Sequence, residues 1–452
     1  MTDAALSADA AGITPLRAGV RRYVLALLTI AYTLSFLDRQ MLSILVEPIE
    51  TDLRISDAAM GLLTGPVFVI FYTFLGIPIA WIADRWSRPA IVAVALTVWS
   101  VFTALCGAAS GFVVLAFARL GVGFGEAGCN PSAHSLIADI STPQQRGSGL
   151  SFYSLGVPIG TLLGLAVGGL IADIGPHGWR VAFLAAATPG IILALVFALT
   201  VREARPARGL GGAPLSAAIA QPFSDFADTL GALRGKPTFW FMALASGFSA
   251  FVGYAHLFFT ASFFLRCHPA DIAAVAATLG LKSKGFLGPA LGLMIGVGGF
   301  TGTLIGGWIA DRAAARDRRA FATIPGATAI LVVPLYFVIF TIPNTLLALA
   351  LVFIPSVVST IWYGAVYSTG QSVVAPHRRA TAAALLLLIL NLIGLGLGPP
   401  FLGAASDFLA KTEHLGAAEG LRWAMIVTGC FSLVCGGFFF AARGRLQADV
   451  VS

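Results

Sequence analysis

The chain contains apolar runs too long for a soluble core, and these decide what it can become. Reading between glycine, proline and charged breakers, twelve of them fall near 23–46, 57–82, 89–110, 111–138, 146–172, 179–201, 237–265, 285–310, 321–342, 345–371, 379–408 and 421–442. About 20 mostly apolar residues suffice for a helix to cross bilayer hydrocarbon. Backbone facing lipid must satisfy its own hydrogen bonds, so each run is expected to be helical. Only 11% of the residues are charged, against about 25% in a soluble domain. The expected fold is therefore an all-α membrane protein with twelve transmembrane helices.

The basic residues sort by side. Counting alternate loops, nineteen of the 28 Lys and Arg lie on the side of the N-terminus and seven on the other. Two, Arg39 and Arg119, lie inside spans. The bias predicts both termini in the cytoplasm of a cell inner membrane. It also explains the net charge of +7 with no nucleic acid as partner. Residues 1–20 lack an apolar core, so no cleaved signal peptide is expected. The stretch 202–236, with Pro, Gly and Arg, reads as a cytoplasmic linker between a first bundle at 1–201 and a second at 237–452.

A repeat supports that division. Trp-Ile-Ala-Asp-Arg occurs at 81–85 and at 308–312, an offset of 227 in a chain of 452. Repeats at this scale report the architecture. A fainter echo, small residues followed by Asp, ends the fifth span at Asp173 and the eleventh at Asp407. Such endings at spans 2, 5, 8 and 11, alternating in direction, are what inverted three-helix repeats within two six-helix bundles leave behind.

Twelve spans, the duplication and the motif Gly76…Asp84-Arg85…Arg88 resemble the major facilitator superfamily of secondary transporters, over essentially the whole chain. A narrower resemblance, to the spinster family, is carried by Phe36-Leu37-Asp38-Arg39, by RLGVGFGEAGCNPSAHSLIADI at 119–140 and by RGSGLSFYSLGVPIGTLLG at 146–164. It implies alternating access, a lysophospholipid or sphingoid phosphate as substrate, and proton coupling. A bacterial member is expected, and the match is looser in the second half.

Four ionisable residues fall at membrane depth: Asp38, Arg39, Arg119 and Glu126. Each costs several kcal/mol there unless paired or hydrated, so such groups mark function by default. Asp38 and Arg119 are expected at similar depth and able to pair. Arg119 and Glu126, seven residues apart, share a helix face about 10 Å apart in depth. The bland reading is an ion-pair network holding spans 1 and 4 together. The functional reading is a cavity site: Arg39 or Arg119 meets an anionic head group, Glu126 or Asp38 exchanges a proton, and Arg119 re-pairs with Glu126 once substrate leaves. Gly125, Gly128 and Pro131 nearby suggest a bent backbone.

At the cytoplasmic end, Gly76, Asp84, Arg85, Arg88 and Arg146 form a candidate gate. Asp84 would accept hydrogen bonds from the start of the eleventh span, near Pro376-His377-Arg378-Arg379, and Gly76 would permit close helix contact. The same residues also serve as topology-setting charges. In the second bundle Phe251, Tyr254, Trp362 and Tyr367 are candidate linings of an apolar slot. Such aromatics are otherwise core or lipid-facing.

Three functions compete. One is a proton-coupled transporter of an amphipathic anionic lipid. Another is a proton-coupled symporter of small organic anions or sugar acids, with Asn391 and Gln371 as its few polar partners. The third is a membrane-embedded lipid enzyme, for which no catalytic spacing is present, so no enzyme is expected. Gly-rich GVGFGEAG at 121–128 lies in an apolar span and reads as helix packing. No cofactor and no metal site are expected, since the five cysteines show no paired spacing. The expected partners are membrane lipids, protons and a small-molecule anion, with the chain a monomer.

Overall fold

The computed structural model describes residues 18–83, 86–203, 226–375 and 378–449. Its long helices are α1 Gly19–Ile44, α2 Asp57–Gly76, α3 Arg88–Gly107, α4 Phe112–Ile140, α5 Gln144–Ala172, α6 Gly178–Thr200, α7 Pro237–Cys267, α8 Ser283–Ala314, α9 Ala320–Thr341, α10 Thr345–Ser372, α11 Thr381–Lys411 and α12 Gly416–Asp449. They answer the twelve apolar runs one for one. Only Ala108, Ala109, Ser110 and Gly111 separate α3 from α4. Large apolar side chains on the outside, such as Leu195, Leu199 and Phe117, are more than half exposed. Water would not tolerate that surface, whereas lipid matches it.

Several helices are interrupted, and the sequence explains where. In α4 the regular helix stops at Glu126 and resumes at Cys129. Pro131 has no N–H and its ring crowds the carbonyl four residues back, at Ala127. The helix is therefore interrupted where Gly125, Gly128 and Pro131 suggested a bent backbone. In α11, Leu390–Leu395 winds as a π-helix, with Gly396-Leu397-Gly398 between it and Pro399-Pro400.

The first bundle packs α1 on α5 and α3 on α4 and α6; the second packs α12 on α7, α9 and α11. Between the bundles, α5 packs on α8, α2 on α11 and α1 on α7. The first two contacts exchange under the repeat, which makes the pairing pseudo-twofold. With an even number of crossings both termini emerge on one face, here called proximal; the opposite face is distal.

The bundles join at the distal face. Asp173, at the end of α5, accepts from the Gly285 amide at the start of α8 (2.6 Å) and pairs with Lys284 (3.2 Å). Asp407, on the distal turns of α11, accepts from the Ala58 amide at the start of α2 (3.0 Å). The two Asp residues that ended the faint echo thus cap the opposing bundle's helices. Helix starts offer unsatisfied amides and a positive dipole end, which suits a carboxylate. Towards the proximal face, segments 129–140, 143–154, 362–372 and 379–389 pack within their own bundles.

Candidate functional site

The four intramembrane charges come together between α1 and α4 as two pairs. Asp38 Oδ2 lies 3.6 Å from Arg119 Nη1, both almost fully buried. That pairing agrees with the depths read from the sequence. Neither oxygen of Asp38 accepts a hydrogen bond from any described residue. The second pair differs from expectation. Glu126 binds Arg39, not Arg119: Arg39 Nε donates to Glu126 Oε2 (2.7 Å), Nη2 pairs with the same oxygen, and Ser35 Oγ donates to it at 2.8 Å. Seven residues along α4 place Arg119 and Glu126 about 10 Å apart, too far to pair directly, and the Arg39 side chain runs to Glu126 while Asp38 faces Arg119.

The two guanidiniums share an aromatic wall. Arg39 Cζ lies 4.4 Å from the Tyr72 ring centroid, 4.6 Å from Phe68 and 5.3 Å from Phe36, and Arg119 Cζ lies 5.1 Å from Phe68. Rings at this range stabilise a cation by about 0.5–2 kcal/mol each, most when water is excluded. Tyr72 is positioned in turn by Asn130, whose Nδ2 donates to its hydroxyl (2.9 Å), while Tyr153 donates to Asn130 Oδ1. The break in α4 thus ties α2 and α5 to the charged pair. Ser35, Phe68, Tyr72, Asn130 and Tyr153 were not singled out from the sequence. An Asn beside a proline within an apolar span was the available signal.

Exposure separates the two pairs. The Arg39 side chain is 13% exposed and Glu126 1%, while Arg119 and Asp38 are 1% and 3%. Arg39 is the most accessible of the four side chains. Ionised, the four charges sum to zero.

The candidate gate residues divide. Asp84, Arg85, Pro376 and His377 lie outside the described residues. Arg88 is buried and bonded to Asp139 near the end of α4, to Ser135, and to Glu203 after α6, which also accepts from the Arg88 amide at 2.8 Å. It clamps three helices of one bundle and, among the described residues, reaches none of the other. Arg146 Nε donates to the Ala138 carbonyl (3.1 Å), again within the first bundle. Among the described residues, no heavy atom lies within 4 Å of where a Cβ on Gly76 would stand. Gly76 stands at the proximal end of α2.

The candidate apolar linings also divide. Phe251 is buried in an aromatic cluster with Phe401 (5.3 Å) and Phe431 (5.2 Å), so it belongs to the core of the second bundle and not to a slot. Trp362 is also buried and stacked on Tyr363 at 4.0 Å, but with Val252, Val332 and Tyr336 it lines a cavity within the second bundle. Tyr254 and Tyr367 are partly buried at the edge of that core. Helices α7 and α10 carry many aromatics in sequence; three-dimensional packing decides which turn inward. His256 bonds the Met425 carbonyl through Nε2 (2.9 Å) and acts as core filler. The five cysteines are free, and the described residues contain no cluster of metal-binding type.

Comparison with known proteins agrees with this architecture. The Major Facilitator Superfamily pattern matches residues 28–399. An MFS-type efflux pump of Mycolicibacterium smegmatis is 31% identical over 439 residues, 96% of each chain. Protein spinster homolog 3 of Danio rerio is 28% identical over 93% of this chain and 84% of that one. The crystal structure of a bacterial homolog of the human lysosomal transporter spinster, in an inward-facing and unoccupied conformation, superposes with a TM-score of 0.83 at 32% identity, covering 97% of this chain and all of that one. With twelve helices in two pseudo-symmetric bundles and these relatives along nearly its full length, the chain belongs to the major facilitator superfamily: it is a multi-pass membrane transporter and not an enzyme.

Proposed function

We propose that the chain carries an amphipathic anionic lipid, of lysophospholipid or sphingoid phosphate type, across the bacterial inner membrane by alternating access, coupled to protons. Bundles at 1–201 and 237–452, joined by the linker 202–236, move as the two working bodies of a monomer. The charge bias of the loops supports a cytoplasmic proximal face, and the distal closure then corresponds to the inward-facing state. The likeness to spinster homologs supports the lipid class, and the efflux-pump relative supports export.

The observation that carries the coupling is the Arg39–Glu126 pair inside a charge set that sums to zero. A phosphate head group approaching through the proximal side meets Arg39 first. Binding there competes with Glu126 for the guanidinium. Glu126 is then left without a counter-charge out of water, a state costing several kcal/mol. Uptake of one proton relieves it. When the head group leaves, Arg39 re-pairs with Glu126 and the proton is released. Asp38–Arg119, better buried and already paired, holds α1 against α4 meanwhile. The acyl tail would lie towards Tyr254 and Tyr367 of the second bundle.

Liposomes with an imposed pH gradient test this. Glu126→Gln mimics the protonated carboxyl and is expected to keep lysolipid binding while losing pH-driven transport. Arg39→Gln and Arg119→Ala are expected to weaken binding, the first by more than tenfold. If Glu126→Gln transports with full pH dependence, the proton rides elsewhere, with Asp38 next in line. Shortening the acyl chain is expected to cost up to about 0.8 kcal/mol per buried methylene. Affinity independent of chain length would instead favour a small organic anion.

A further inference from the structure

A second group of ionisable residues lies at the distal closure, away from the Arg39–Glu126 pair. Arg266, at the end of α7 in the second bundle, receives three carboxylates from the first. Its Nε bonds Glu47 Oε1 (2.6 Å), its Nη1 and Nη2 bond Asp57 Oδ2 and Oδ1 (2.9 and 2.7 Å), and Nη2 also bonds Glu50 Oε2 at 2.6 Å. Glu47 and Glu50 stand on the short helix Val46–Leu53 that follows α1. The Asp57 Oδ2 atom takes a further bond from Ser406 of α11 (2.6 Å).

Three carboxylates against one guanidinium leave two excess negative charges. The site is mostly out of water, with Glu50 10% and Asp57 6% exposed. One nitrogen, Nη2, bonds both Glu50 and Asp57, so two carboxyl oxygens are forced close together. Like charges so placed do not both ionise readily. The other oxygen of Glu50, Oε1, is buried and accepts no hydrogen bond from any described residue. Among the described charges nearby, none forms an ion pair with these carboxylates besides Arg266: Arg54, exposed, caps the end of the short helix and bonds the Glu50 carbonyl only through its backbone amide. Asp407 caps α2 and pairs with Lys411, Asp52 is taken by Arg180 with His177 beside it, and Arg422 pairs with Glu419.

We propose that Glu50 binds a proton whenever the distal ends of the bundles are closed and returns it to the distal solution when they part. The proposal rests on the alternating-access reading but not on the Arg39–Glu126 coupling. Burial, and then the neighbouring Asp57 charge, push the Glu50 carboxyl up to about 10, with Arg266 only partly opposing them. Glu47 is raised too, chiefly by burial. Opening carries α7 and α11 away, wets Val46–Leu53 and returns Glu50 to the ordinary carboxylate value of about 4.3. The closed state then holds one more proton than the open one over the interval between. Its advantage from Glu50 is complete below the ordinary range and fades as pH rises towards 10, by up to about tenfold in the open-to-closed ratio per pH unit. Because this proton enters and leaves on the distal side, it does not itself cross the membrane. It lets distal acid hold the transporter open to the proximal side.

The test reads the gate directly. Nitroxides carried on unnatural amino acids at Thr51 and Thr412, both exposed distal positions, report the distal separation of the full chain in nanodiscs by electron double resonance. The separated population of the wild type is expected to grow from pH 6 to pH 9. Glu50→Gln should flatten that slope while still showing both distances, which certifies its fold. Asp57→Asn should move the midpoint to lower pH, and Glu126→Gln should keep the slope. A slope that survives in Glu50→Gln, or an unmoved midpoint in Asp57→Asn, overturns the proposal. A slope abolished by Glu126→Gln and kept by Glu50→Gln does so too, leaving the central coupling intact. A single distance under every condition would remove this proposal together with alternating access.

Discussion

Arg88 shows how a residue read as part of a gate can be a clamp. Its guanidinium is shared by Asp139, Ser135 and Glu203, and it is almost fully buried. Hydrogen bonds to charged groups contribute about 1.5–3 kcal/mol each, and Arg88 donates to both carboxylates. Arg88→Gln is therefore expected to lower the unfolding temperature in detergent markedly. Arg88→Lys should recover only part of it, because an ammonium lacks the planar fork that reaches several acceptors at once. Equal stability of wild type and Arg88→Gln would leave only the topological role. Arg39 differs in kind: partly exposed and stacked on aromatic rings, it can exchange its partner without leaving its place.

Between elements, the crossing of α5 and α8 depends on small residues. A Cβ added at Gly288 would lie 2.2 Å from the Leu165 carbonyl oxygen and 3.1 Å from its carbon, so the backbones themselves are in contact. In lipid, where no hydrophobic effect drives helices together, such close approach is what holds them. Gly288→Ala is expected to wedge α8 away from α5 and enlarge the distal-separated population in the same nitroxide measurement. An unchanged distance distribution would contradict the wedge. The break in α4 is the other element-level device. Without the turn at Ala127 and Gly128, Asn130 would not stand where Tyr72 and Tyr153 meet it.

At the scale of the whole molecule, the pseudo-twofold repeat predicts matched effects. Asp173 caps α8 and Asp407 caps α2, each across the bundle interface. A carboxylate at a helix start contributes roughly 0.3–2 kcal/mol. Asp173→Asn and Asp407→Asn should each open the distal face by a similar modest factor, and the double variant by about their product. Asp84→Asn, if Asp84 closes the proximal face on α11, should act with opposite sign. Cytoplasmic accessibility of cysteines placed along the cavity would then rise. Effects of one sign from all three substitutions would break the proposed symmetry.

Apolar run length, the recurrence of Trp-Ile-Ala-Asp-Arg half a chain apart and the isolated charges at 38, 39, 119 and 126 determined the span count, the duplicated architecture and which four charges lie within the membrane. These are legible because bilayer thickness sets helix length and because an unpaired charge in hydrocarbon is too costly to be incidental. Depth along a helix was legible too, and with it the Asp38–Arg119 pair. Partner choice for Glu126 was not, since it turns on which way the Arg39 side chain runs from a backbone shared with Asp38. The distal cluster was likewise hidden. Glu47, Glu50, Asp57 and Arg266 are unremarkable loop and span-end charges along the chain, separated by up to 219 residues. Only the packing of two bundles brings them onto one guanidinium, and a proton site made by contact between two bodies exists only while they touch.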